Sequence, residues 1–234
     1  MSSVQILRKI HQEEGISYGK TSYYIDNYLC PFDANNMRLL DIGGADGTFA
    51  LYLHLVRGGR VDVLDEYAGH GACASNYEKL LLRKKELCIT GMKIIRTDVR
   101  DASLPSEYYD VIYLRNCLHH IFSPGESITN VKKLMHKIYT WTRDGGLLVI
   151  GEVDPMVFWR LLPPIRHRVG PKCTFKDKSY WTHWRHSAEQ SGFTFKQIQW
   201  CVPYPLRSFK SILGNRFTRF FLGGSHVLTF TKEK

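Results

Sequence analysis

From residue 37 onward, short apolar runs alternate with longer amphipathic ones. Residues 37–42, 60–64, 93–97, 110–114 and 147–151 are apolar and most are closed by acids or glycines, which predicts buried strands. Residues 48–56 carry Phe49, Leu51, Leu53, Leu55 and Val56 and read as a helix stopped by Gly58 and Gly59. Residues 71–87 and 128–141 predict two further helices, and Asp144-Gly145-Gly146 turns the chain into the fifth strand. Strands and helices alternating at this spacing build parallel βαβ units, so the fold class is α/β, a doubly wound Rossmann-like sheet. Right-handed crossovers place the loops after the strands along one edge, where such sheets take their ligands.

The flanks are less regular. Residues 1–30 read as helical, interrupted at Gly15 and Gly19 and ended by Pro31. Past residue 151, Pro155, Pro163, Pro164 and Pro171 punctuate a connecting region; a helix is predicted at 179–190 and strands at 193–200 and 227–231. A proline-, base- and aromatic-rich insertion, 201–224, separates those last two strands. The expected organisation is an N-terminal helical cap (1–36), a core (37–154) and a segment completing the sheet (155–234), together one domain.

Three consecutive strands end on acids: Asp41, Asp65 and Asp98. The first is followed by Gly43-Gly44-Ala45-Asp46-Gly47, a turn that lets backbone approach a ligand and opens a helix whose first N–H groups point at it. It is not the GxGxxG of a dinucleotide site. Asp41 can take loop amides or a cofactor ammonium, Asp65 the two hydroxyls of a ribose, and Asp98 an exocyclic amine beside the Val99 N–H. The plainer alternative makes Asp65 or Glu66 a cap on the next helix. Asp62 falls inside the second strand and is expected on its surface.

Residues 39–48, Leu-Leu-Asp-Ile-Gly-Gly-Ala-Asp-Gly-Thr, resemble motif I of the class I S-adenosylmethionine (SAM)-dependent methyltransferases. Thr97-Asp98 followed by Leu104-Pro105 is similar to that superfamily's adenine-contact motif, residues 109–121 with Leu118-His119-His120 to its post-strand-four motif, and residues 145–150 to its strand-five motif. The resemblance covers residues 37–151, and the two late strands match the family's final hairpin, which makes the last strand antiparallel. It implies SAM as cofactor, with Asp41, Gly43 and Gly47 facing the methionine moiety and Gly44 and Asp46 completing the loop. It further implies Asp65 with Glu66 at the ribose, Asp98 and Val99 at the adenine, and Asn116 lining the pocket. Ala45 stands where a second glycine is usual; an ordinary backbone conformation is expected there.

His119 and His120 sit near the expected point of methyl transfer, where a histidine can serve as general base. The alternative packs one under the sheet and leaves the other hydrogen-bonded locally. Glu152 and Asp154, just past strand five, face the same edge and can orient an acceptor or be ordinary loop acids. Methyl transfer needs mainly alignment, so a base is not obligatory. A Lys-Asp-Lys-Glu ribose 2′-O-methyltransferase wants Asp after strand four and Lys ending strand five; Asn116 and Gly151 stand there. An amide N-methyltransferase wants Asn/Asp-Pro-Pro-Tyr where Asn116-Cys117-Leu118-His119 stands. Neither mechanism is supported.

Charge adds one thing. The net charge of +10 lies within residues 156–220, which hold twelve Lys/Arg against two acids, interleaved with aromatics. Such a surface suits RNA phosphates and bases, and equally an anionic membrane surface. It also suits an aromatic core and pocket wall with solvated charges around it, and the family's acceptor site lies after strand five. Trp159, His167, Trp181 and Trp184 are the acceptor-site candidates. The expected activity is methyl transfer to oxygen, nitrogen or carbon of a small or lipid-like, anionic acceptor. An RNA methyltransferase and a non-catalytic methyltransferase-like subunit are the alternatives. Six scattered cysteines without CxxC spacing argue against structural zinc, and with no apolar run of membrane-spanning length and no secretory signal, a cytoplasmic location is expected.

Overall fold

The computed structural model describes residues 3–68, 73–122, 128–153, 181–215, 217 and 225–233. Before the sheet come α1 (Ser3–Glu13), α2 (Tyr18–Tyr24) and a π-helical turn (Ile25–Leu29). Gly15, at a φ of +65°, separates the two helices. Gly19 does not interrupt: it lies inside α2, where a Cβ would come within 2.7 Å of the Tyr204 hydroxyl.

The core follows as β1 (Arg38–Ile42), α3 (Thr48–Leu55), β2 (Arg60–Asp65), α4 (Ala74–Glu86), β3 (Ile94–Arg96), β4 (Tyr109–Arg115), α5 (Leu118–Ile121), α6 (Ile128–Trp141) and β5 (Thr142–Val153). Then come α7 (Trp181–Glu189), β6 (Phe193–Trp200), a 3₁₀ turn (Tyr204–Phe209), α8 (Lys210–Leu213) and β7 (Ser225–Lys232). Among the described residues the sheet has seven strands in the order β3-β2-β1-β4-β5-β7-β6. β1 to β5 are mutually parallel, and β7 runs antiparallel to both of its neighbours. This is the expected Rossmann-like sheet with an antiparallel last strand.

Both faces are covered. Leu39, Val61, Val63, Val111, Tyr113 and Val149 pack under α1, α2 and α3, while Leu40, Ile42, Ile112, Leu114, Leu148 and Ile150 pack under α5, α6 and α7. The period-two alternation of each strand decides which face a residue serves. Strand five starts earlier than expected. Tyr109 pairs with Thr142 but Val111 pairs with Leu147, so Gly145, at a φ of +75°, sits in a bulge rather than in a free turn. Among the described residues no helix is long and apolar enough to cross a membrane.

Candidate functional site

Motif I forms the strand-to-helix turn at the carboxyl edge of β1. Asp46 Oδ1 accepts from the Thr48 N–H at 3.1 Å and its Oδ2 from the Thr48 hydroxyl at 2.7 Å, fixing the turn just ahead of α3, whose N-cap is Gly47. Arg83 of α4 then holds the turn from outside, donating to the Asp46 carbonyl, the Asp46 carboxylate and Glu14. Burial opposes ionisation of Asp46, but the Thr48 and Arg83 hydrogen bonds keep its carboxyl below the usual range. Gly47 has a φ of +75°, and a Cβ there would meet Leu80 Cδ1 at 2.2 Å. Ala45 departs from expectation: its φ is +48°, in the left-handed region where a Cβ is strained. The turn must reverse between Gly43 and Gly47, and the sequence supplies alanine at a position built for glycine.

Asp65 spends both oxygens on this architecture, Oδ2 accepting from the Ala45 N–H at 2.9 Å and Oδ1 from the Tyr67 N–H at 2.7 Å. Asp41 is different. It is fully buried, and neither carboxylate oxygen has a hydrogen-bond partner among the described residues. Burial pushes its carboxyl up to about 7; the Arg115 charge works against the rise and Asp65 and Asp46 add to it. Native proteins rarely leave such a group unsatisfied unless something else completes it.

Gly43, Ala45, Asp65, Glu66, Asp98, Val99 and Asn116 line one cavity of about 250 Å³ along the carboxyl ends of β1 to β4. Asp98 is held there by the Arg100 guanidinium, which keeps its carboxyl below the ordinary range. His120 lines the same cavity. The backbone turn beneath and the acids of the next two strands fit a group carrying a ribose and an adenine; Asp41 lines neither cavity, its carboxyl lying fully buried behind the turn.

A second cavity, of about 460 Å³, shares Arg115 and Asn116 with the first. Lys20, Thr21, Tyr24, Ile25, Tyr28 and Leu29 contribute one wall, Phe49 the floor of α3, and Gly151, Cys201 and His226 the sheet side. Asn116 reaches its place at a φ of +51°, its N–H donating to the Gly151 carbonyl at 2.7 Å. The Tyr28 hydroxyl hydrogen-bonds Tyr23 and accepts from the Val202 N–H, tying the N-terminal turn to the region after β6.

Several expected site residues lie elsewhere. Gly44 and Gly47 line neither cavity; a Cβ on Gly44 would meet Val63 Cγ1 at 2.4 Å, so both glycines serve packing. Asp62 is buried rather than on the surface, accepting from the Tyr109 hydroxyl and the Lys93 N–H. Glu152 is buried and points away from both cavities, accepting from the Leu118 N–H at 2.9 Å and pairing with His119 Nδ1 at 2.8 Å. His119 is thus a strut between α5 and β5. Trp184 is in the core against Phe122, and Trp181 packs edge-on to Trp200; neither lines either cavity. Asp154, Trp159 and His167 lie outside the described residues. Conversely Lys20, Tyr24, Tyr28, Phe49, Arg115 and His226 enter the site unannounced. Arg115, a charge closing an otherwise apolar strand, was the visible signal.

A family model described as a methyltransferase domain matches residues 22–216. No curated protein matches the chain. Among solved structures, the chain is similar to phosphoethanolamine N-methyltransferase 2 of Haemonchus contortus in complex with SAM, at a TM-score of 0.66 and 14% identity, covering 99% of this chain and 57% of that one. The same nematode enzyme with phosphomonomethylethanolamine and S-adenosylhomocysteine gives a TM-score of 0.65 at 13% identity, covering 93% and 53%. A SAM-dependent methyltransferase of Mesorhizobium loti gives 0.61 at 18% identity, covering 90% and 97%. The chain spans about half the length of the nematode enzyme, and at these identities the likeness speaks for the fold. With most of its length matched by the family model, the chain belongs to the methyltransferase-domain family, the SAM-dependent methyltransferases of class I.

Proposed function

We propose that the chain transfers the methyl group of SAM to a small, anionic, lipid-like acceptor held in the second cavity. The observation that carries the reading is the meeting of two cavities at Arg115 and Asn116. In the first, Asp65 and Glu66 would receive the ribose and Asp98 with Val99 the adenine, while Asp41, buried behind the turn, would draw the cofactor's ammonium end from beneath. Bound there, SAM supplies a methyl on a sulfonium, which needs only an aligned nucleophile and little water.

The second cavity provides the alignment. Tyr24, Ile25, Tyr28, Leu29 and Phe49 make it apolar, and Lys20 and Arg115 give it two cations. Its one acid, Asp46, is already engaged by Thr48 and Arg83. Such a chamber favours an acceptor with an apolar body and an anionic group. The nematode enzyme's bound phosphomonomethylethanolamine has an anion of this kind. Where the acceptor releases a proton, His226 lines the same cavity, and His120 lines the cofactor's. An RNA acceptor finds less support among the described cations. Arg185 pairs with Glu189 and Lys196 with Glu233.

Methyl-labelled SAM incubated with fractionated small molecules tests the reading. Label is expected in the anionic, amphiphilic fraction, and Lys20→Ala should raise the acceptor KM about fivefold while leaving S-adenosylhomocysteine affinity unchanged. Label entering only RNA or protein, or an unmoved KM, overturns it.

A further inference from the structure

The described residues include six exposed large apolar side chains, and three of them, Phe209, Ile212 and Phe217, fall within nine residues of chain. Their exposures are 55%, 68% and 76%. Phe209 ends the 3₁₀ turn and Ile212 lies three positions on in α8, which puts the two on one side of a continuous helical segment. Single exposed apolar residues are ordinary; two large ones on one side of one short helical segment, with a third four residues beyond it, mark a surface that meets something.

Charge says what. Between Glu189 and Glu233 the chain has no Asp or Glu at all, while six Lys/Arg occur, Arg207 and Lys210 among them on the exposed segment itself. Arg207 lies along the Tyr204 ring and Lys210 over Tyr28, each cation backed by an aromatic face. An aromatic and aliphatic tip, flanked by cations and free of acids, complements an apolar boundary beneath an anionic layer. A nucleic-acid groove would want the cations outermost, and Ile212 has no role there; a protein partner would not require an acid-free surround.

The segment also sits where docking has a use. Tyr204 packs edge-on against Tyr23, and Lys210 bonds Asn27 and covers Tyr28, whose ring lines the second cavity. We infer that the 3₁₀–α8 segment, through Phe209 and Ile212 with Arg207 and Lys210, is a docking surface for an anionic lipid bilayer, backed onto the Tyr28 wall of the second cavity. Docking requires neither cofactor nor acceptor, so it stands or falls apart from the proposed activity.

The experiment is co-sedimentation of the whole chain with vesicles of phosphatidylcholine alone and of phosphatidylcholine with 30 mol% phosphatidylserine, with the F209S/I212S variant alongside. The wild-type chain is expected to bind the anionic vesicles at least tenfold better than the neutral ones, and to lose most of that binding at 0.5 M NaCl. F209S/I212S should lower partitioning at least tenfold, with its thermal midpoint and S-adenosylhomocysteine affinity unchanged. Absence of wild-type binding to anionic vesicles, or equal binding by the variant, overturns the inference. So does a wild-type chain that sediments as a dimer which F209S/I212S dissociates, or one that ignores vesicles and binds RNA through the same residues.

Discussion

Replacing Asp41 by asparagine is the sharpest perturbation of the cofactor site. A carboxyl titrating at about 7 instead of its ordinary 3.8 is protonated more readily in the folded chain than in the unfolded one. The folded state therefore binds the extra proton between those values, and stability falls as pH rises through that window. The effect is absent near pH 4 and complete above pH 7, where the ionised, buried group costs the cofactor-free chain about 4 kcal/mol. The amide that replaces it in the variant cannot ionise and keeps the shape. Its own burial cost is the same at every pH, so the readout is the slope and not the offset.

Denaturation of the cofactor-free proteins from pH 5 to 8.5 should show D41N gaining on the wild type by a few kcal/mol as pH rises. Binding should move the opposite way. If Asp41 receives the cofactor ammonium, wild-type affinity for S-adenosylhomocysteine rises as pH passes through 7. D41N should then bind about thirtyfold more weakly at pH 8, the value of one charge-assisted hydrogen bond of about 2 kcal/mol, with little pH dependence. Calorimetric titration measures both. A stability difference that stays flat from pH 5 to 8.5 would refute the reasoning, because it would mean that the carboxylate is already satisfied without the cofactor.

Two further substitutions probe the loop. Ala45→Gly should stabilise the chain by roughly 0.5–1 kcal/mol, since relief of the left-handed backbone exceeds the added freedom of the unfolded chain. A urea midpoint that moves downward would contradict that. Arg83→Met should cost about 2 kcal/mol, because it removes a side chain that is 8% exposed from between two carboxylates, although Lys79 still pairs Glu14 and Thr48 still bonds Asp46. The double variant R83M/E14Q should recover part of the loss, and additivity of the two changes in the same urea experiment would show that the residues do not act together.

The sheet was legible because its signals are local. Strands buried on both faces are mostly apolar, so β1, β2 and β4 were read within a residue or two, and the half-exposed edge strand β6 from its aromatic ends. The bulge in β5 was not, because it depends on Tyr109 facing Thr142 across the sheet. Glu152 shows a signal present but unused. Alternation along β5 puts Gly151 toward the second cavity and Glu152 on the opposite face, where it bonds Leu118 and His119. Tyr24 and Tyr28 carried no such clue. Their place in the site follows from packing against residues far along the chain, with the Tyr28 hydroxyl meeting Val202. Cofactor sites on this fold are built at strand ends and can be read in order; acceptor chambers are assembled from both ends of the chain and cannot.

The reading of Asp65 as a cap on the next helix does not hold: α4 begins at Ala74 behind Cys73, and Asp65 instead bonds the loop after β1 and its own downstream turn. A carboxylate has about four acceptor positions, and the Ala45 and Tyr67 N–H groups occupy one on each oxygen. That leaves acceptor capacity on a carboxylate that lines the first cavity. The bonds to the loop fix the carboxylate before any ligand arrives, so a ribose would meet an oriented acceptor at little further entropic cost. Arg83 does the same for Asp46 from behind. Of Asp41, Asp46 and Asp65, only Asp41 has no hydrogen-bond partner among the described residues. The loop's carboxylates are thus paired by protein at Asp65 and Asp46, while its backbone strain sits at Ala45 and its unsatisfied carboxyl at Asp41 beneath the turn.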